Sequence, residues 1–82
     1  MERSEIIATT KRFLAAEFEV DEQLIVPESN LKDTLDLDSL VYVDLVVVIE
    51  DNFGFKPTAD DFKTVATFEE FYNLVEEKLN AN

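Results

Sequence analysis

Apolar residues return at helical spacing in two parts of the chain, and in a third they run almost without a break. Ile6, Ile7, Thr10, Phe13, Leu14 and Phe18 recur every three or four positions, which predicts one buried stripe of a helix. That helix opens at Ser4-Glu5-Ile6-Ile7, with Ser4 as the expected cap and Glu5 in the first turn. Phe68, Phe71, Tyr72, Val75 and Leu79 mark one face of a second such helix. Thr67, with Glu70 three residues later, reads as its capping box, and it is expected to fray at Asn80-Ala81-Asn82. Residues 19 to 38 lose the period: Pro27, Ser29 and Asn30 punctuate, while Leu24, Ile25, Leu31, Leu35 and Leu37 supply scattered anchors. This segment reads as a long loop pinned by apolar residues, and a loop of that length in a small domain is usually functional.

Residues 39 to 53 pit propensity against context. Val41, Val43, Val46, Val47, Val48 and Ile49 are β-branched, which by propensity alone favours a strand. Three features predict a helix instead. Asp38 is a good N-cap, its carboxylate able to accept from the free N–H groups of the first turn. The segment is long, and Gly54 is well placed to end a helix after Glu50-Asp51-Asn52-Phe53. A strand would also need a pairing partner, and no second strand-like segment exists. Beyond Gly54, Phe55-Lys56-Pro57 is extended, because a residue before proline avoids the helical region. Thr58-Ala59-Asp60-Asp61-Phe62 then reads as a short capped helical turn.

Size and composition narrow the class. Eighty-two residues with 46% apolar side chains predict one domain over residues 1–82. With no Cys and no His, the chain has no disulfide framework, no thiol nucleophile, no imidazole base and no usual zinc ligand. The N-terminus is charged and lacks the apolar core of a secretory signal. The apolar run from Leu40 to Ile49 is broken by Asp44 and is far too short to span a bilayer. A small domain without staples is compatible with the cytoplasm, and a monomer without membrane insertion is expected. Nineteen acids against seven bases leave a net charge of −12, which repels nucleic acid and anionic membranes and favours partners with basic patches.

Familiar catalytic and metal chemistry fits poorly. Asp33, Asp36, Asp38 and Asp44 fail the calcium-loop pattern: counted from Asp36 the glycine position is Val41, and counted from Asp33 the third position is Leu35. Asp60-Asp61 and Glu69-Glu70 read as solvated helix starts rather than catalytic pairs. A single glycine, Gly54, rules out a glycine-rich phosphate loop. No catalytic residue and no metal site are expected, and the chain does not read as an enzyme.

What remains is the junction Leu35-Asp36-Leu37-Asp38-Ser39-Leu40, where the polar loop meets the most apolar segment. Ser39 would be the first helical residue, its hydroxyl near the positive end of the helix dipole, where a phosphate is favoured. This junction resembles the attachment motif of acyl carrier proteins, Asp-Ser-Leu with a leucine-rich approach. The likeness continues through Val43-Asp44-Leu45-Val46, Ile49-Glu50-Asp51-Asn52-Phe53-Gly54, Pro57 and Val65-Ala66-Thr67-Phe68, so it covers essentially the whole chain. The resemblance implies an all-α bundle of three longer helices and one short one. It implies that Ser39, flanked by Asp38 and Leu40, receives 4′-phosphopantetheine from coenzyme A through a separate phosphopantetheinyl transferase. The thiol of that arm would carry acyl groups as thioesters between acyl-transferring and condensing enzymes, of fatty-acid synthesis or of a specialised polyketide-like, aryl or amino-acyl pathway. Acyl chains in the family often fold back between the helices; Leu45, Val46, Ile49, Phe53, Val65 and Phe68 are the candidates to line such a cavity, and fit an ordinary core equally well.

One departure from the family pattern bears on partners. Val41 stands where family members typically carry an acid directly after Asp-Ser-Leu. At roughly 100° per residue, with Asp44 at the centre of the solvent face, Leu40, Val41, Val47, Val48 and Asp51 lie within roughly 60° of it. Tyr42, Leu45, Val46, Ile49 and Phe53 fall opposite. Val41, Val47 and Val48, rimmed by Asp44, Glu50 and Asp51, therefore form a candidate docking patch for an enzyme with a basic or mixed basic-apolar surface; packing of the valines against the loops is the alternative. On the docking reading, Val41→Glu weakens transfer to the cognate enzyme while sparing the fold. A second functional reading is an unmodified, carrier-like acidic docking module, but such a module has no need of a serine at position 39. Terminal helices that start near residue 4 and end near residue 80 point to a free-standing chain.

Overall fold

The computed structural model describes residues 2–80, and helix is the only regular secondary structure among them. Three helices are long: α1 (Arg3–Phe18), α3 (Ser39–Phe53) and α5 (Phe68–Asn80). Two have five residues each, α2 (Leu31–Leu35) and α4 (Ala59–Lys63), and a 3-10 turn covers Glu22–Leu24. The all-α class is as expected, but the long first loop is not a loop throughout. α2 is too short to display a helical period, and its start signal, Asn30, looks like a turn residue in sequence. In the fold Asn30 Oδ1 accepts the Asp33 N–H at 2.9 Å, and Leu31 and Leu35, one turn apart, are buried. Leu24 is no anchor: it lies in a 3-10 turn that buries none of its residues and is 59% exposed.

α1 also begins differently from the sequence expectation. Glu2 takes the cap position without a side-chain cap bond, and Ser4 lies inside the first turn. The end is held from outside by α5. Arg3 Nη1 donates to Asn73 Oδ1 at 2.9 Å and pairs with Glu76 Oε1 at 3.1 Å, while its guanidinium lies 5.8 Å from the centre of the Tyr72 ring. A tertiary anchor replaces the local cap. Ile6, Thr10, Phe13 and Leu14 are buried as the period predicts, with Ile7 and Phe18 only partly covered. At the other end of the chain the helix runs through Asn80; the fraying expected at Ala81-Asn82 lies outside the described residues.

One apolar cluster joins all the helices. α3 contributes Leu45, Ile49 and Phe53, α5 contributes Phe68, Phe71, Tyr72 and Val75, and Phe13 meets the Phe53 ring edge-on at 5.7 Å. The first loop is fastened to the start of α5 by backbone bonds. Leu31 N–H donates to Ala66 O at 2.9 Å, Phe68 N–H to Ser29 O at 3.2 Å and Glu69 N–H to Pro27 O at 3.1 Å. These bonds satisfy helix-end donors that would otherwise be orphaned, and they hold α2 in place. α2 in turn sets where α3 begins.

Candidate functional site

The chain leaves α2 through Asp36, whose left-handed backbone (φ 51°) reverses it; an aspartate visits that region more readily than most residues. Leu37 N–H donates back to Lys32 O at 2.9 Å, and its half-buried side chain packs on the core. Asp38 is then extended and caps α3. Its Oδ1 accepts from Leu40 N–H at 3.0 Å and Val41 N–H at 2.9 Å, and its backbone oxygen accepts from Tyr42 N–H at 2.8 Å. Ser39 is therefore the first residue of α3, exposed, and its hydroxyl makes no hydrogen bond among the described residues. Leu40 beside it is 77% exposed. At the far end Gly54 closes α3 at φ 81°, its N–H donating to Glu50 O at 2.9 Å, as the sequence predicts.

Electrostatically this is an acidic surface with one open hydroxyl. From Asp33 to Phe55 the chain has Asp33, Asp36, Asp38, Asp44, Glu50 and Asp51 and no lysine or arginine. A phosphate ester on Ser39 would sit at the positive end of α3, where helix geometry favours it, but two of the first-turn N–H groups already serve Asp38. Such an ester would thus be held by its covalent bond and little else, which suits a group that has to reach other proteins.

The face of α3 is rotated relative to the sequence expectation. Leu45, Ile49 and Phe53 are buried, so the point opposite them falls near Leu40 and Val47, about 40° from Asp44. Asp44, Val47, Glu50 and Asp51 are exposed, whereas Val41 and Val48 are half-buried and Val48 packs on the core. Val43, absent from the candidate patch, is 58% exposed, and Val47 is 53%. Taking the buried triad rather than Asp44 as the angular reference would have found it. Of the cavity candidates, Leu45, Ile49, Phe53, Val65 and Phe68 pack together in the continuous core. Val46, half-buried, instead lines an open groove of about 400 Å³ beside α3, with Tyr42, Val43 and Val47 on one wall and Lys56, Pro57, Thr58 and Ala59 on the other. Tyr42 also meets the Phe62 ring edge-on at 5.3 Å, which ties α4 to this side of α3.

Comparison with known proteins gives the family. Residues 9–75 match the family described as the phosphopantetheine attachment site. The acyl carrier protein of Petrotoga mobilis is 32% identical over 80 residues, covering 98% of this chain and 94% of that protein. The acyl carrier protein of Thermotoga maritima is 35% identical over 77 residues, 94% of this chain and 95% of its own length. Acyl carrier protein 2 of Ralstonia nicotianae is 30% identical over 81 residues, 99% of this chain and all of that protein. The cofactor of such a protein is a covalently attached 4′-phosphopantetheine, and its partners are a phosphopantetheinyl transferase and acyl-handling enzymes. This chain belongs to the acyl carrier protein family and is a carrier, not an enzyme.

Proposed function

We propose that Ser39 is the attachment point of the arm, and that residues 1–82 act as one monomeric, cytoplasmic carrier domain serving a dedicated acyl pathway rather than general fatty-acid synthesis. The observation that carries the assignment of Ser39 is its exposed, unbonded hydroxyl directly after the Asp38 cap. In the attachment step Ser39 Oγ bonds to the phosphorus that bears the pantetheine of coenzyme A. The bond from that phosphorus to the adenosine 3′,5′-diphosphate moiety breaks, and the hydroxyl proton passes to a base of the transferase. This chain, with no His and no base between Lys32 and Lys56, supplies the nucleophile and its placement only. When bound, the arm supplies a thiol on which acyl groups travel as thioesters. Asp38 keeps the first turn of α3 wound, so that Ser39 Oγ is offered at a fixed position. The dedicated partner is supported by the α3 face, where apolar side chains lie beside Asp44, Glu50 and Asp51.

The test is intact mass after incubation with coenzyme A, magnesium and a broad-specificity phosphopantetheinyl transferase. The parent should gain one phosphopantetheine and Ser39→Ala none. A parent that stays unmodified while its circular dichroism remains helical would shift the assignment to an unmodified docking module.

A further inference from the structure

Ser39 heads a stripe of α3 that runs into the groove beside that helix. Tyr42, Val43, Val46 and Val47, which form one wall of the groove, stand three, four, seven and eight residues after Ser39. That is the spacing of one helix face. At roughly 100° per residue, Ser39 falls within about 10° of the centre of the four. From Ser39 to Val47 the axial rise is about 12 Å. The groove thus begins one turn along from the exposed hydroxyl and leads directly away from it. Its chemistry changes along its length. Near the head of α3 the wall is the Tyr42 ring, Val43 and Val46. Toward the foot, Lys56 stands on the opposite wall, two residues after the Gly54 stop, and forms no ion pair among the described residues. Exposed Glu50 lies one turn beyond Val46 and Val47 on the same stripe.

We infer that this groove seats the pantetheine arm itself between encounters with enzymes, its two geminal methyl groups against Tyr42, Val43 and Val46 and its amides between Lys56 and Glu50. The order of chemistry argues for that occupant. Counted outward from the phosphate, the arm presents first a branched aliphatic carbon and then two amides. The stripe, counted from Ser39, offers first apolar side chains and then a cation and a carboxylate. The Lys56 ammonium donates to an amide carbonyl, and the Glu50 carboxylate accepts from an amide N–H. Neither contact needs to be strong. The bond at Ser39 presents the arm to the groove at an effective concentration on the order of mM, so an intrinsic affinity of about 1 mM leaves roughly half of it seated. A partner that needs the arm free then loses only about twofold in affinity. A second copy of this chain is a poorer occupant, opposed by −12 on each molecule. The inference rests on the proposed attachment at Ser39 and adds a resting place for what is attached there.

The experiment compares the 15N-labelled full chain before and after loading by the transferase, with intact mass showing that Ser39 carries the arm. The arm is 13C-labelled in its two methyl groups. Loading should shift the amides of residues 42–47 and of Lys56, Thr58 and Ala59 as well as those beside Ser39. The methyl signals should show through-space contacts to the Tyr42 ring and to Val43. Val43→Ser should favour the released arm about threefold and weaken those contacts in proportion, and Lys56→Ala should weaken them in the same direction. Both positions are exposed, so circular dichroism should stay that of the parent. Leu24→Ser, in the exposed 3-10 turn, should change nothing. Shifts confined to residues 38–41 without methyl contacts, contacts to residues outside the groove, or contacts undiminished in both groove variants would overturn the inference. So would contacts that grow with protein concentration, which would place the arm on a second molecule. A chain that accepts no arm removes the attachment at Ser39 and this inference with it; a chain that accepts the arm and leaves the groove empty removes this inference alone.

Discussion

α3 and α5 both begin at a capped residue, yet the two starts are built to opposite ends. At α5 every early donor has a partner: Phe68 N–H reaches Ser29 O, Glu69 N–H reaches Pro27 O and Glu70 N–H reaches Thr67 Oγ1 at 3.3 Å. Glu70 Oε1 returns the favour by accepting from Ala66 N–H and Thr67 N–H at 3.2 Å, and Phe68 is fully buried. At α3 the Asp38 carboxylate alone caps the first turn, and the two residues that follow, Ser39 and Leu40, are exposed. One start closes the bundle. The other leaves the Ser39 hydroxyl exposed at a defined position, as the proposed attachment of the arm requires. The tight start also serves the open one, because the bonds that seal α5 hold the loop that delivers α2 and hence α3.

Substitutions near the two helix starts should therefore give unequal results. Phe68→Ala, at the first residue of α5, is expected to cost about 3–5 kcal/mol in urea unfolding, the usual loss for a buried phenylalanine. Leu40→Ala, at the second residue of α3, should stay within about 0.5 kcal/mol. Comparable losses at the two would break the contrast. Among the caps, Asp38→Ala is expected to cost about 1–2 kcal/mol and to slow phosphopantetheinyl transfer to Ser39, since no other group satisfies Leu40 N–H and Val41 N–H. Thr67→Ala should cost less, below about 1 kcal/mol, because Phe68 N–H and Glu69 N–H keep their carbonyl partners, and it should leave transfer unchanged. Stability curves that rank these two caps the other way would show that the loop bonds do not carry α5.

A smaller effect tests the element that walls the groove. Asp61 Oδ2 accepts the Thr58 N–H at 2.9 Å, and this bond, ahead of the Thr58 hydroxyl and Lys78, holds the Asp61 carboxyl below the usual carboxylate range. A carboxyl lowered in the folded state stabilises it above the unfolded pKa, so this contribution is present above about pH 4 and is lost as pH falls through the lower folded value. Asp61→Asn should flatten the decline of Tm below about pH 4; an unchanged decline would leave the capping box without electrostatic weight. Smallest of all is Tyr72→Phe. The Tyr72 hydroxyl is buried without a hydrogen-bond partner among the described residues, and its burial raises its pKa. Removing it should be neutral or stabilising by up to about 1 kcal/mol, and a loss of that size would reveal a partner for the hydroxyl.

Much of this was legible in the amino-acid order. The stripes of α1 and α5, the Asp38 cap, the Gly54 stop, the Thr58 and Thr67 starts and the exposed Ser39 all follow from neighbours within four residues, and local hydrogen bonds decide them. What the order could not show depends on contacts distant in sequence. Arg3 replaces Ser4 as the fastening of α1 because Asn73 and Glu76 lie across from it, seventy residues on. α2 is wound because Leu31 and Leu35 find the core while Ala66 accepts the Leu31 N–H. The rotation of α3, which exposes Val43 and turns Val41 and Val48 partly inward, is set by where Leu45, Ile49 and Phe53 meet the rest of the bundle. A run of valines carries almost no angular information of its own, since any face of it is apolar. Only the packed neighbours determine which valines remain in water.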